Sequence, residues 1–259
     1  MTPPKMVAIQ SGAEGCSYAE SQNFEINNHP SELYAYTTHW GVRKKAEAVQ
    51  YMRDQHSFVI EGVSIITGMG DSNNSDAGVN DWSILFCFQS GKVPSYQAVL
   101  SRTMLLLGKI RAAGWKRYVA TSDPRLSGKA TTVYALSQSS VIYSLDSTHT
   151  LTMEEWTRIV ASEPEWDFYD NDVFLCVTMS YQVSGANDGH YLMDFELETY
   201  SQSYLSYFSR SAQKKAHWRK YLLDALKPAK ESRLTKEAGL KAKNSTIDTS
   251  YEDHPLEAI

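Results

Sequence analysis

The sequence predicts an α+β fold with mixed or antiparallel sheets and flanking helices, built as one unit or as two α/β lobes. The chain has 259 residues, of which 42% are hydrophobic, enough for one sizeable core or two small ones. Strand-like and helix-like segments are mixed along it without the strict alternation of a βαβ protein. The sequence shows no repeat with a period of about 20–50 residues, which argues against a solenoid.

The first part of the chain, residues 1–30, is predicted to be an irregular arm because it is polar and rich in turn-forming residues. The α+β core is predicted to span residues 31–226. Apolar residues at spacings of three predict a short helix over 43–54. Beyond this helix, apolar runs predict strands at 58–60, 63–66 and 82–88, and a stretch rich in Gly, Asn, Asp and Ser predicts a loop over 67–81.

The clearest helix in the sequence covers residues 95–113. Its apolar residues recur at steps of three and four, Ser95 can cap its start, and Gly114 can end it in a left-handed conformation. A second helix is predicted to begin at Thr152, where the sequence fits a capping box, and to end before Pro164. Strand-like runs lie between the two helices, at 117–120, 131–136 and 141–145.

The last part of the core is predicted to contain strands at 173–181 and 191–198 and a third helix at 212–226. In the second of these strands acidic residues alternate with apolar ones, which is typical of a strand with one face toward the core. Residues 227–259 hold six basic and six acidic side chains and few large hydrophobic ones. We therefore expect them to form a charged, loosely ordered tail.

Charge and cysteine content narrow the function classes. With 25 Lys and Arg against 30 Asp and Glu, the net charge is −5, which disfavours nucleic-acid binding. Three scattered cysteines are too few for a disulfide framework, and no metal-ligand spacing occurs, so neither a cofactor nor a metal is expected. The printed sequence starts without a secretory leader and has no membrane-spanning stretch, which predicts a cytoplasmic protein, or a periplasmic one if a leader has been removed.

Three short blocks resemble those of the GDS-type lipases and esterases. They are Gly70-Asp71-Ser72, Gly78-Val79-Asn80-Asp81 and Asp146-Ser147-Thr148-His149. In such an enzyme Ser72 would be the nucleophile and His149 the base. The spacing argues against this hypothesis, since only eight residues separate Ser72 from Asn80, whereas that family places the two blocks on different strands.

Two stretches are predicted to bind a partner protein. The first lies in the 67–81 loop, and the second is the acidic and aromatic segment 163–172, where Trp166 and Tyr169 would be the anchors. The residues predicted to contact a partner are Asp71, Asn73, Asn74, Asp76, Glu165, Trp166, Asp167, Tyr169, Asp170 and Asp172. Two alternatives stay open: the aromatics of 163–172 could instead turn inward to seal the core, and the 67–81 loop could be only a solvated connection.

Residues 80–225 contain a pattern of turns and aromatic positions that resembles bacterial type VI secretion immunity proteins, those encoded beside lipase (phospholipase) effectors. The segments that carry it run from Gly114 to Gly128, from Tyr143 to Asp146, from Leu151 to Trp156 and from Trp166 to Leu175. The resemblance implies a non-enzymatic inhibitor that binds a cognate lipase toxin and occludes its active-site cleft or lid. A non-enzymatic adaptor or chaperone module, and a GDS-type esterase using Ser72, are the alternatives.

Overall fold

A computed structural model describes residues 6–22, 24–28, 32–39, 47–88, 94–138, 143–183 and 189–256. They form one mixed sheet of ten strands with flanking helices, which confirms the α+β class. The strands are β1 (Met6–Ile9), β2 (Glu25–Asn28), β3 (Leu33–His39), β4 (Glu47–Tyr51), β5 (Phe58–Asp71), β6 (Asp81–Cys87), β7 (Lys116–Arg117), β8 (Glu165–Asp170), β9 (Val173–Val183) and β10 (Gly189–Thr199).

Seven α-helices accompany the sheet in this part of the chain. They are α1 (Ala13–Ser21), α2 (Tyr96–Ala112), α3 (Lys129–Ser137), α4 (Met153–Ile159), α5 (Tyr200–Leu205), α6 (Ala212–Ala216) and α7 (Trp218–Lys241). None of the helices in the described ranges is both long and apolar enough to cross a bilayer.

The sheet has the strand order β1-β4-β5-β6-β10-β9-β8-β7, with β3 also paired to β5 and β2 to β3. Strands β1 and β4 run parallel, and the other pairs are antiparallel. Strand β10 lies between β6 and β9, so it joins the N-terminal strands to the β7–β9 region. All the strands therefore belong to one continuous sheet.

The core lies on one face of this sheet. There, alternate residues of β6, β8, β9 and β10 pack against the apolar sides of α2 and α4 in a single cluster. Trp82 and Trp166 are fully buried in it, as is Trp156 from α4. Of the described residues, those that cover the opposite face lie at one corner, where Tyr169 and Phe174 pack against aromatic residues of α5 and α7.

The two helix starts predicted from capping residues are confirmed. The Ser95 hydroxyl accepts a hydrogen bond from the Ala98 amide at the start of α2, and Gly114 follows its end with φ at 98°. At α4, Thr152 and Glu155 form a reciprocal capping box. Strands predicted at 82–88, 173–181 and 191–198 correspond to β6, β9 and β10.

Several sequence predictions are wrong. The helix predicted over 43–54 is absent from its described part, where 47–51 form β4; residues 43–46 lie outside the described residues. Here Ala48, Val49 and Tyr51 are buried between β1 and β5, and pairing within the sheet overrides the helical spacing. The strand predicted at 131–136 is instead helix α3, in which Thr131 and Thr132 are buried. In the strand predicted at 141–145, residues 141–142 are not described, and Ser144 makes only an isolated bridge to Glu165.

The N-terminal arm is not irregular over its described residues. It contains β1, α1 and β2, and β1 pairs with β4 at the end of the sheet, where Val7 and Ile9 are buried. The turn residues that suggested an irregular arm separate these short elements: Gly12 has φ at 86° and precedes α1. Residues 1–5, 23 and 29–30 of the predicted arm lie outside the described part.

The first part of the predicted loose tail, up to Lys241, belongs to a long helix. Helix α7 continues through Pro228 to Lys241, so it replaces both the end of the predicted 212–226 helix and the start of the tail. Two charged residues of this part are buried: Glu237 accepts hydrogen bonds from the Arg125 guanidinium at 2.8 Å, and Arg233 binds Asp253 at 2.8 Å. These charge pairs, formed with residues far away in sequence, order a segment that has few large hydrophobic side chains.

Candidate functional site

The predicted 67–81 loop is much shorter in the structure. Strand β5 continues to Asp71 and β6 begins at Asp81, so that only a 3-10 turn over Ser72–Ala77 and three further residues connect them. Gly68 lies under the ring of its cross-strand partner Trp82, where a Cβ atom would come within 2.6 Å of ring carbons, so glycine permits the close pairing of β5 with β6 at this point. Within this turn Asn74 and Asp76 are exposed, and the side chains of Ser72 and Asn73 lie outside the described part.

The acidic and aromatic segment is strand β8, and its residues alternate between the two faces of the sheet. Trp166 and Phe168 point into the core, and Trp166 is only 1% exposed. A side chain in the centre of the core presents nothing to a partner, so the prediction that Trp166 is an interface anchor is wrong. The alternative interpretation of 163–172, in which its aromatic residues turn inward and seal the core, is the correct one for Trp166.

Tyr169 is also unavailable as an anchor. It is buried on the other side of β8, in the aromatic cluster with Tyr200 and Tyr204, and its ring lies 5.7 Å from that of His254. Asp170 and Asp172 are bound by Arg53, which joins the β4–β5 connection to the β8–β9 turn. These predicted contact residues therefore hold the fold together.

The remaining predicted acidic residues lie on the open face of the sheet. Glu165 and Asp167 point there from β8, and Asp71 has the corresponding position at the end of β5. The register adds four carboxylates that the sequence analysis did not select. We define the acidic face as Asp81 of β6, Glu165 and Asp167 of β8, and Asp194, Glu196 and Glu198 of β10.

The acidic face has uncompensated charge. Among the described residues, no ion pair joins a Lys or Arg side chain to any of its six carboxylates, although Asp194 accepts a hydrogen bond from Ser83 at 2.9 Å. Burial, together with repulsion from Glu198, Glu196 and Asp194, raises the pKa of Asp81 to about 6. Burial and the adjacent Glu165 raise the pKa of Asp167 well above its ordinary value.

Replacing Asp81 by Asn is expected to stabilise the protein by about 1–2 kcal/mol at pH 7.5. A carboxyl group whose pKa is raised on folding binds its proton more tightly in the native state. Its ionised form therefore costs stability above pH 6 or so, and the cost disappears as the pH falls toward the unfolded value of about 4. Urea unfolding should show a gain at pH 7.5 that is absent at pH 4, since Asn carries no charge at either pH.

This measurement compares the variant with the wild type because another residue shifts the pH profile in the opposite direction. Burial lowers the pKa of His254 to about 4, so His254 reduces stability as the pH falls below about 6.5. The difference between variant and wild type removes this common contribution. An equal effect of Asp81→Asn at both pH values would contradict the prediction.

One group on the acidic face has the donor types of a cation site. One ligand atom each of Glu165, Asp167 and Cys176 lie within 4.8 Å of one another. Carboxylate and thiolate ligands together suit a transition-metal ion such as zinc. However, burial and the adjacent carboxylates raise the pKa of the Cys176 thiol, so it is protonated at neutral pH and would have to lose a proton to bind an ion.

A second polar cluster contains a histidine oriented by a carboxylate. The Nδ1 atom of His56 lies 2.8 Å from an Asp170 oxygen, and the backbone oxygen of His56 accepts a hydrogen bond from Trp115. The Nε2 atom of His56 lies 3.3 Å from the side-chain amide nitrogen of Gln55. Within the described ranges, no Ser, Cys or Thr side chain makes a hydrogen bond to this imidazole, so the arrangement orients a ring without supplying a nucleophile.

The three esterase-like blocks have structural partners of their own. Asn80 is buried at the end of the β5–β6 connection, where its backbone bonds Met69 and Thr199. Asp146 accepts hydrogen bonds from the Gly128 amide and from Thr148, and His149 lies 3.3 Å from Glu155 of the α4 capping box. The first two blocks thus lie at the ends of one antiparallel hairpin connection, as their close spacing predicted.

A signal for the overlooked residues was present in the sequence. Alternation over 191–198 places Asp194, Glu196 and Glu198 on one side of a strand, and only the pairing with β6 and β8 shows that Asp81, Glu165 and Asp167 join them. No family model, curated protein or solved structure significantly matches this chain.

Proposed function

We propose that this protein binds a partner protein through the acidic face, and that the partner is the cognate lipase toxin of a type VI secretion effector pair. The observation that carries the proposal is the set of six carboxylates on one open sheet face, without a basic partner among the described residues. In this function the protein acts as an immunity protein that occludes the toxin.

Electrostatics gives the acidic face a binding role. Burial and, after it, repulsion from Glu198, Glu196 and Asp194 raise the pKa of Asp81, and cationic side chains from a partner would relieve the repulsion. The same field would also steer a basic partner toward the face and speed association at low salt. The free protein thus contains unfavourable charge contacts, and their relief would contribute to the free energy of binding.

Exposed apolar side chains lie beside the carboxylates. Met69 and Leu33 are 42% and 43% exposed, and the strand register places them on the same face as Asp81. Protein interfaces combine an apolar centre with a polar rim. This neighbourhood therefore supports a protein partner over a small anionic or neutral ligand.

The segments that resemble immunity proteins mostly build the core. We therefore assign the partner contact to the acidic face, which lies outside that core. Trp115, Trp156 and Trp166 all belong to the segments that resemble immunity proteins, and all three are buried. Similarity at such positions would preserve the packing and leave the contact surface free to vary. Glu165 and Asp167 are retained from the predicted contact set, and Trp166 and Tyr169 are not.

Reversing one charge on the acidic face tests the proposal. Glu196 is exposed at the centre of the face, and Glu196→Lys should weaken binding to the cognate lipase by at least tenfold, because the new cation repels a basic partner. Glu231→Lys makes the same charge change on exposed α7 and should change the dissociation constant less than twofold. Calorimetric titration at low and at physiological salt would measure both.

Survival and turnover measurements decide between the remaining functions. Cells producing the lipase should survive when they carry the wild-type protein and die when they carry Glu196→Lys, and directing the protein to the cytoplasm or the periplasm shows where protection occurs. Lack of any complex with the lipase, or equal binding by the two lysine variants, would contradict the proposal. Ester hydrolysis by the purified protein that is lost in Ser72→Ala would favour the esterase instead.

A further inference from the structure

A separate groove lies between the first half of α7 and the segment 253–256, away from the acidic carboxylates. Its volume is about 440 Å³, within the range of about 300–1,000 Å³ that is common for small-molecule sites. Helix α7 forms one wall, in which Trp218, Leu222 and Leu226 are at most 6% exposed and the neighbouring Leu223 is 59% exposed. Pro255 and Leu256 line the other side, so an apolar channel runs along the helix.

Lys230 stands at one end of this channel. It is four residues beyond Leu226 on the same side of α7, it is exposed, and no carboxylate pairs with it among the described residues. Asp253 also lines the groove, but Arg233 binds both of its oxygens at 2.8 and 2.9 Å. At the other end Arg219 lies over the Trp218 ring, 4.6 Å from its centre. The groove is therefore apolar along its length and cationic at its mouth.

A buried polar atom in the lining has no partner. His254 is 4% exposed, and its Nε2 atom contacts the Tyr204 hydroxyl, whereas its Nδ1 atom makes no hydrogen bond within the described part. When Tyr204 donates to Nε2, the neutral ring carries its own proton on Nδ1 and has a donor to spare. Buried polar atoms are rarely left unpaired in proteins, so a polar ligand atom beside His254 would satisfy this group.

We propose that this groove binds a single-chain amphiphile with an anionic head, such as a fatty acid, with its alkyl chain against Leu223, Pro255 and Leu256 and its carboxylate at Lys230. From Leu223 to Lys230 the helix rises by about 10 Å, as seven residues of helix require. A protein partner normally buries about 800 Å² on each side, which is far more than this narrow groove offers. This site is independent of the binding role proposed for the acidic face.

Titration of the full-length protein with sodium decanoate tests the assignment, and methyl decanoate serves as the neutral control. We expect saturable calorimetric binding of decanoate at least fivefold tighter than that of the ester, and Lys230→Glu should abolish this preference. The same titration with lysophosphatidylglycerol distinguishes a phospholipid from a free fatty acid as the ligand. The compound whose head group fits the site better should bind at the lower concentration.

A matched pair of variants on α7 separates binding from folding. Leu223 lines the groove and is 59% exposed, whereas Leu234 is 62% exposed and is not among the residues that line it. Leu223→Glu should reduce decanoate affinity at least tenfold, Leu234→Glu should leave it unchanged, and both should unfold within a few degrees of the wild type. Absence of decanoate binding in the wild type, or equal binding by the two variants, would overturn the proposal.

Discussion

Trp166→Ala is expected to lower the free energy of unfolding by about 3–5 kcal/mol, because the side chain is 1% exposed in the main core and its removal leaves a large cavity. The residue belongs to β8, opposite Val177 of β9, so the loss falls where β8 packs on the main core. Urea unfolding would measure the change. A core position predicts this large loss, whereas an interface anchor would predict wild-type stability and weaker partner binding.

Two further variants make this test specific. Trp166→Phe keeps an aromatic ring and should cost roughly 1–2 kcal/mol. Glu165→Ala changes the preceding residue, which points to the opposite face, and should cost less than about 1 kcal/mol. An unfolding midpoint for Trp166→Ala equal to that of the wild type would show that the side chain does not support the core.

Glu237→Gln is expected to lower the free energy of unfolding by about 2–3 kcal/mol. Glu237 is buried in α7 and accepts three hydrogen bonds from Arg125, two from the guanidinium and one from the backbone amide. An amide keeps one acceptor oxygen but removes the charge that Arg125 pairs with, and loss of one partner from a buried pair is costly. Because Arg125 is partly exposed, water recovers some of the loss.

The pH dependence gives this second prediction a separate readout. The Arg125 hydrogen bonds hold the pKa of Glu237 below its ordinary value, so its contribution is present at neutral pH and is lost as the pH falls through that lowered pKa. The difference between Glu237→Gln and wild type should therefore shrink in acid. Glu231→Gln, on the exposed side of the same helix, should stay within about 0.5 kcal/mol at either pH.

Local signals in the sequence predicted the elements that local interactions define. The capping residues Ser95 and Thr152 and the helix-ending Gly114 are sequence neighbours of the groups they satisfy, so the bounds of α2 and the start of α4 were predicted closely. The alternating pattern of β10 is likewise a property of one strand. Such features need no knowledge of the rest of the chain.

Distant contacts decided the elements that were predicted wrongly. Residues 47–51 have helical spacing but become β4 because β1 and β5 pair with them on either side. The charged second half of α7 is ordered by Arg125 and Asp253, which are remote from their partners in sequence. Only part of the acidic face could be predicted from the sequence, for the same reason. Its carboxylates come from three strands, and only the register of these strands brings them together.

The position of β10 has a consequence for synthesis of the chain. Its partner β6 ends at Cys87, about 100 residues before β10 begins, so a ribosome adding about 5–20 residues per second leaves the inner edge of β6 without a neighbour for roughly 5–20 s. Over that interval the nascent polypeptide exposes an apolar strand edge of the kind that chaperones capture and that aggregates recruit. We expect yield of the protein to depend on chaperone supply more strongly than its final stability would suggest.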